Sequence, residues 1–458
     1  MGQPAVASSP AALPSTSPPP RTASPAGTSG SDPVGECRRS GDIHGLATRR
    51  VSRPAEHDRR SDLPSGPSTL ASVAESTARS KNGRHPTGGS SLMTVTAAVS
   101  REKGAPLVVE ELELDAPRST EVRVRMVGSG ICHTDAVARD RIYPVPEPSV
   151  FGHEGSGVVE EVGSDVRGVQ VGDHVVLGPS YCGKCTFCRS GEPMYCENGF
   201  PELFGCRRHD GTTAFSKDGE MVGSHFFGQS SFATHANVTE NSVIVVDKDA
   251  PLELLGPLGC GLNTGAGAVL NEMRPAAGSS IVVFGTGAVG FAALMAAAAV
   301  SCSTIIGVDI HDSRLELARE LGATHTINSS SQDLHAELEK ITGGRGVNYA
   351  LDTTARSSVV RDAADALGKR GVLIAVGAAA PGDEVSFEVG NSLVKGWTFK
   401  TVIEGSAVPQ VFIPRLVDLW KQGKFPFDKL VKTYSLHDIN TGFEDSASGA
   451  VIKPVVAY

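Results

Sequence analysis

The stretch SSIVVFGTGAVGFAALMAAAAV, Ser279 to Val300, decides the fold. An apolar run rich in β-branched residues, Ile281 to Phe284, enters a Gly-x-Gly-x-x-Gly turn, and an Ala-rich helical stretch leaves it. In that setting Gly285 permits the tight turn, Gly287 lets the backbone approach a pyrophosphate, and Gly290 lets the helix pack on the strand. Val289, inside the same loop, is counted with them as a cofactor contact. Phosphates then sit at the helix N-terminus, where unpaired N–H groups and the helix dipole favour negative charge. A second strand-like run, TIIGVD, ends at Asp309, nineteen residues after Gly290. An acid at that distance meets the adenosine ribose hydroxyls. Its charge would repel a 2′-phosphate, so NAD is favoured over NADP.

Downstream of that stretch the texture alternates. HTIN, NYALDTT and GVLIAVGA read as strands; SRLELARELGA, QDLHAELEKITG and SVVRDAADALGK have the apolar spacing of amphipathic helices. Such alternation predicts an α/β fold with a doubly wound parallel sheet. Upstream, from Thr94 to about Leu258, short β-type runs such as EVRVRMVGSG, GDHVVLG and SVIVVD are bounded by Gly, Pro and Asp. They predict a mostly β domain.

Two metal constellations fall in that β region. Cys182, Cys185, Cys188 and Cys196 have the spacing C-x2-C-x2-C-x7-C. Four thiolates on one Gly- and Pro-containing loop fit a tetrahedral Zn2+, and a closed four-sulfur shell leaves no place for substrate, so this metal is structural. An iron–sulfur run fits less well, because seven residues separate the last two cysteines and no Pro follows Cys196. The second set is dispersed: Cys132 in GICHTD, His153 in FGHEGSG and Cys260 in PLGCGLNTG. A lone buried cysteine is ordinarily a small hydrophobe. Together, in Gly-rich segments beside a four-Cys lobe and a dinucleotide fingerprint, one imidazole and two thiolates are the ligands of a catalytic zinc with an open position.

Composition bounds the rest. A chain of 458 residues, 40% apolar and with net charge −9, has material for two globular domains and nothing basic that points to nucleic acid. The longest apolar stretch, near Phe291 to Val300, is too short to span a bilayer. Most of the nine cysteines are assigned to metal, which implies a reducing compartment, the cytoplasm. Residues 1–92 hold 12 of the 28 prolines and no aromatic residue, so they read as a disordered extension outside the fold, with Met93 a natural start.

CHTD, GHEGSGVVEEVG, the four-Cys lobe, PLGCGLNTG and GTGAVG occur in the order of the zinc-dependent medium-chain alcohol dehydrogenases, and residues 94–458 resemble that family throughout. YPVPEPSVFGHEGSG, GSHFFGQSSFATHANV and PLGCGLNTGAGAVLN look most like its aryl-alcohol (benzyl alcohol) subgroup. The resemblance implies a GroES-like catalytic domain over 93–261 with the zinc lobe at 180–198, a Rossmann NAD-binding domain over 262–402, and a return of 403–458 to the catalytic domain. It implies two zinc ions and NAD per subunit, a small-molecule alcohol or aldehyde substrate, and a homodimer or homotetramer paired through the edges of the nucleotide-binding sheets. The expected activity is reversible oxidation of a primary alcohol to the aldehyde, with hydride passing to NAD.

The same resemblance distributes roles. Thr134 takes the substrate hydroxyl proton; its plainer reading is a helix N-cap. Asp135 orients the ligand His153. Glu154 is an occasional extra zinc ligand, or else a buried ion-pair partner. His133 touches the pyrophosphate and Thr264 lies beside the nicotinamide. Lys453 is a phosphate contact or a solvated lysine, and Arg314 meets the adenosine ribose. Many relatives carry a relay His three residues after the Thr; here that position is Val137, so a water or a cofactor hydroxyl is expected to deliver the proton to solvent. Tyr143, Phe151, Phe200, Phe226, Phe227 and Phe232 supply aromatic area for core or substrate pocket. Three other readings are weighed: a thiol-dependent formaldehyde dehydrogenase with a similar HFFG segment, a zinc-free quinone reductase, which would lack these cysteines, and a non-enzymatic zinc- and NAD-binding sensor.

Overall fold

The computed structural model describes residues 92–380 and 382–458. The expectation for 1–92 therefore falls, Leu92 apart, outside the described residues. Two sheets build the β part. One has five strands in the order Ser149–Val150, Met93–Ser100, Val108–Leu114, Phe215–Lys217, Glu220–Val222. The other has seven and centres on Glu121–Gly130, which pairs antiparallel with Gly155–Val162, His235–Thr239 and Lys453–Ala457. Alternation explains the central strand: Val122, Val124 and Met126 turn into the core at 0–1% exposure, while Arg123 and Arg125 pair with Glu161 and Glu160 outside. Chain order is broken here, since Lys453–Ala457 at the C-terminus lies beside Glu121–Gly130.

The α/β part is a six-stranded parallel sheet in the order His325–Asn328, Thr304–Asp309, Ser280–Phe284, Val347–Asp352, Leu367–Ala375, Thr398–Thr401. That is the doubly wound order, with its ligand crevice beyond the carboxyl end of Ser280–Phe284, where the winding reverses. Helices cover the inner strands from both sides, so Ile281 to Phe284 are uninterruptedly apolar and buried. Gly285 has φ +87°, the left-handed turn for which the fingerprint needs glycine. A Cβ on Gly290 would collide with the Gly285 carbonyl oxygen, whereas Gly287 faces open space.

Helix ends differ from expectation in one place. SVVRDAADALGK reads as helical throughout, but the helix is Ser357–Asp365, and Leu367 already pairs with Val347 in the sheet. Ladder hydrogen bonds to a buried neighbour outweigh the modest helical preference of Leu and Lys.

Candidate active site

Cys132 precedes the helix His133–Arg139, and its N–H donates to Asp135 Oδ2 at 3.0 Å. Asp135 sits one turn into that helix, fully buried, and its Oδ1 accepts from the Gly152 N–H and lies 2.9 Å from His153 Nδ1. Gln229 fastens the same loop, donating from Nε2 to the His153 carbonyl and accepting from the Gly155 N–H. Cys260 arrives from the other side, preceding the helix Gly261–Gly267. Residues separated by up to 128 positions thus converge: the ligating atoms of Cys132, His153, Glu154 and Cys260 all lie within 4.8 Å of one another.

The donor set fits a cation. His153 Nε2 is buried with no hydrogen-bond partner, although Nδ1 is engaged by Asp135. Leaving such an atom unsatisfied costs about 1–3 kcal/mol, and a metal ion removes that cost. The two thiols press the same demand. Their mutual hydrogen bond holds Cys132 well below the ordinary thiol range, and that bond with burial pushes Cys260 well above it. Two thiolates and one imidazole, with a side left open, form the donor set of a catalytic zinc.

Glu154 is the ion-pair partner of Lys453: Nζ donates to its two oxygens at 2.9 and 3.0 Å and to the Ile131 carbonyl at 3.3 Å. Burial pushes the Glu154 carboxyl up to about 7 against the opposing charge of Lys453. Lys453, read from the resemblance as a phosphate contact or a solvated lysine, is 3% exposed and pairs with this carboxylate, so it is not solvated.

The four-Cys lobe is equally well formed. Its ligating atoms lie within 4.8 Å of one another, with Cys185 and Cys188 sulfurs 3.4 Å apart and Cys182 and Cys188 sulfurs 4.0 Å apart. A tetrahedron with 2.3 Å arms has edges of about 3.8 Å. All eight cysteines among the described residues are free thiols.

In the crevice Asp309 is held by four donors. The Thr286 N–H and hydroxyl donate to Oδ2 at 2.7 and 2.8 Å, and the Ile310 and His311 N–H groups donate to Oδ1. Burial alone would raise this carboxyl, but the bonds from Thr286 and Ile310 and the charge of Arg314, 3.8 Å away, keep it below its ordinary value. The helices that carry Thr264 and Val289 pack together where a Cβ on Gly265 would collide with the Val289 carbonyl oxygen. His133 is exposed and Thr134 half-buried at the start of their helix, and Val137 is buried, 6% exposed.

The aromatic candidates divide. Phe151 and Phe232 are fully buried core residues. Phe227 stacks on the His153 ring at 4.5 Å and Phe226 meets its edge at 5.6 Å. Phe204 joins Phe227 at 5.2 Å and Phe226 at 5.8 Å, and carries the half-buried Tyr143 and Phe200 at 5.2 and 5.1 Å. Sequence reasoning missed Phe204, Thr286, Gln229 and a buried acid, Glu404, whose Oε1 lies 3.3 Å from Cys260 Sγ. Phe204 and Thr286 adjoin residues already singled out; Glu404 lies 144 positions from Cys260, in a segment with no motif.

Known proteins agree with this architecture. Residues 118–248 match the alcohol dehydrogenase GroES-like domain family and residues 288–421 the zinc-binding dehydrogenase family. The chain is a member of the zinc-dependent alcohol dehydrogenase family, and an oxidoreductase. It is 43% identical over 368 residues to geraniol dehydrogenase of Castellaniella defragrans, covering 80% of this chain and 98% of that one. The crystal structure of benzyl alcohol dehydrogenase from Acinetobacter calcoaceticus superposes with a TM-score of 0.78 at 48% identity, over 80% of this chain and 99% of that one. A zinc-binding-domain alcohol dehydrogenase from Burkholderia ambifaria does so with a TM-score of 0.79 at 51% identity, over the same shares.

Proposed function

We propose that this enzyme reversibly oxidises aryl or allylic primary alcohols to aldehydes, with a catalytic zinc on Cys132, His153 and Cys260 and NAD in the Gly285–Gly290 crevice. The observation that carries the reading is the unpartnered His153 Nε2 beside two thiols, under an aromatic wall. When bound, zinc supplies Lewis acidity to an alcohol oxygen and NAD supplies the hydride acceptor.

The chain's own groups do the rest. Asp135 accepts from His153 Nδ1, which fixes the tautomer and leaves the Nε2 lone pair for the metal. Thr134 Oγ1, half-buried beside Cys132, accepts the hydrogen bond of the substrate hydroxyl. Val137 gives no onward step, so the proton leaves through water or a cofactor hydroxyl. Phe204, Phe227, Phe200 and Tyr143 offer ring faces to a flat or unsaturated substrate and exclude water. The ionised Asp309 accepts from ribose hydroxyls and repels a 2′-phosphate, with His133, Thr264 and Arg314 as further cofactor contacts. The relatives named for geraniol and benzyl alcohol support the substrate class.

Residues 93–261 with 403–458 form the catalytic domain in this reading, supported by the pairing of Lys453–Ala457 with Glu121–Gly130, and 262–402 form the NAD domain. Thr398–Thr401, exposed throughout at the edge of the parallel sheet, offers unpaired backbone to a second subunit of a homodimer or homotetramer. No helix among the described residues is long and apolar enough to cross a membrane, and the six ligand thiols suit a reducing cytoplasm. The test is a panel of benzyl alcohol, geraniol and ethanol scored by NADH absorbance. Higher kcat/KM for ethanol than for benzyl alcohol would overturn the substrate class.

A further inference from the structure

The turn Glu404–Ser406 carries a buried carboxyl group that none of the chemistry above uses. Glu404 is 8% exposed; its Oε1 lies 3.3 Å from Cys260 Sγ, and its Oε2 lies 3.4 Å from Thr264 Oγ1. Two independent costs are present at this place. A carboxyl group has been taken out of water, and the backbone that presents it is left-handed, with φ of +48°, +61° and +48° at Glu404, Gly405 and Ser406. Only the middle residue is a glycine. Such strain persists where the surroundings over-determine it, and it clusters at functional sites.

Here the surroundings do over-determine it. Asn263 Nδ2 donates to the Glu404 carbonyl at 2.9 Å, Asn271 Nδ2 donates to the Gly405 carbonyl at 3.0 Å, and the Tyr195 and Ser406 hydroxyls lie 2.9 Å apart. A Cβ on Gly267 would stand 2.5 Å from the Gly405 carbonyl oxygen, so the turn is seated backbone against backbone on the helix that follows Cys260. Tyr195 is the neighbour of Cys196, so the four-cysteine lobe reaches the same turn.

We propose that Glu404 is a positioning residue for the metal centre, its carboxyl O–H directed at the Cys260 sulfur when that sulfur is a ligating thiolate and its other oxygen accepting from the Thr264 hydroxyl. The proposal rests on the reading of Cys132, His153 and Cys260 as metal ligands. Groups that contact metal ligands orient them, and their loss characteristically weakens metal binding about 10- to 100-fold.

The experiment uses the full-length purified protein, with zinc or substituted Co2+, and compares wild type with Glu404→Leu and Glu404→Gln. Metal release to a chelator and the thiolate-to-cobalt absorption are read, apart from any turnover. Glu404→Leu is expected to release one of its two metals about 10- to 100-fold more readily and to shift the cobalt absorption, with the second metal retained. Glu404→Gln keeps the shape and the hydrogen-bonding capacity and is expected to recover most of the loss. Wild-type release and absorption in Glu404→Leu would overturn the proposal. So would loss of both metals together in both variants, which marks a residue that merely fills space. A wild-type protein holding one metal that Cys260→Ser leaves in place would instead show that the ligand reading had failed, and this proposal with it.

Discussion

His153 Nδ1 lies 2.9 Å from Asp135 Oδ1, in a pocket closed to water, and the opposite ring nitrogen is left without a partner. One hydrogen bond therefore decides which nitrogen is free to bind a metal, and at what angle.

Asp135→Ala removes that constraint. The variant is expected to bind the catalytic metal about 10- to 100-fold more weakly while keeping the metal of the four-Cys lobe. Elemental analysis after graded chelator treatment reads the two sites separately. Equal loss from both would mean that Asp135 serves the fold and not the ligand.

In the proposed function Asp309 selects NAD over NADP. Replacing it with Ser removes the charge that would meet a 2′-phosphate and leaves Thr286 a neutral partner. The KM for NAD is expected to rise about tenfold, the equivalent of one lost hydrogen bond to a charged group, and that for NADP to fall. Initial rates with the two cofactors decide it; an unchanged ratio speaks against a ribose contact at Asp309.

Phe204 belongs to the aromatic wall without being one of the fully buried rings. Phe204→Ala should lower kcat/KM for benzyl alcohol about fivefold to tenfold, the value of an aromatic contact, with little change for ethanol. A parallel fall for both substrates would place Phe204 in the scaffold.

A buried ionic network away from the metals makes a prediction about acid stability. Arg208 donates to both oxygens of Glu121 at 2.6 and 2.9 Å, and His225 Nε2 lies 3.0 Å from the same carboxylate. Burial alone would raise the Glu121 carboxyl, but the bonds from Arg208 and His225 hold it well below the ordinary carboxylate range. A folded-state value lower than the unfolded one means stabilisation in full above the unfolded value, about pH 4.3, and loss as pH falls below it. Glu121→Gln should therefore lower Tm most at neutral pH, with a cost of about 2 kcal/mol for the lost charge-assisted bonds while Arg208 keeps its pair with Asp115, and the gap to wild type should narrow below pH ~4.3. A gap that stays constant from pH 7 to pH 3 would refute the linkage.

Much of this molecule is legible in one dimension wherever a local rule applies. The Gly285–Gly290 turn with its flanking strand and helix, the four cysteines within one loop, and the alternation of Val122, Val124 and Met126 each follow from residues a few positions apart. Local rules also mislead at edges: Leu367 joins the sheet because Val347 is there to pair with it, a partner twenty positions away. Lys453 shows the same limit in the site. Its charge is evident in the sequence, but its partner Glu154 is 299 residues distant.

The sequence by itself determined the fold class, the donor types and the place of the dinucleotide turn, because glycine geometry, thiolate chemistry and apolar periodicity act over short spans. Tertiary structure alone decided pairings that no motif foretold: Lys453 on Glu154 and Glu404 on Cys260. Those pairings depend on Coulomb and hydrogen-bond energies that fall off within a few ångströms. They exist only once folding has removed the water between groups far apart along the chain.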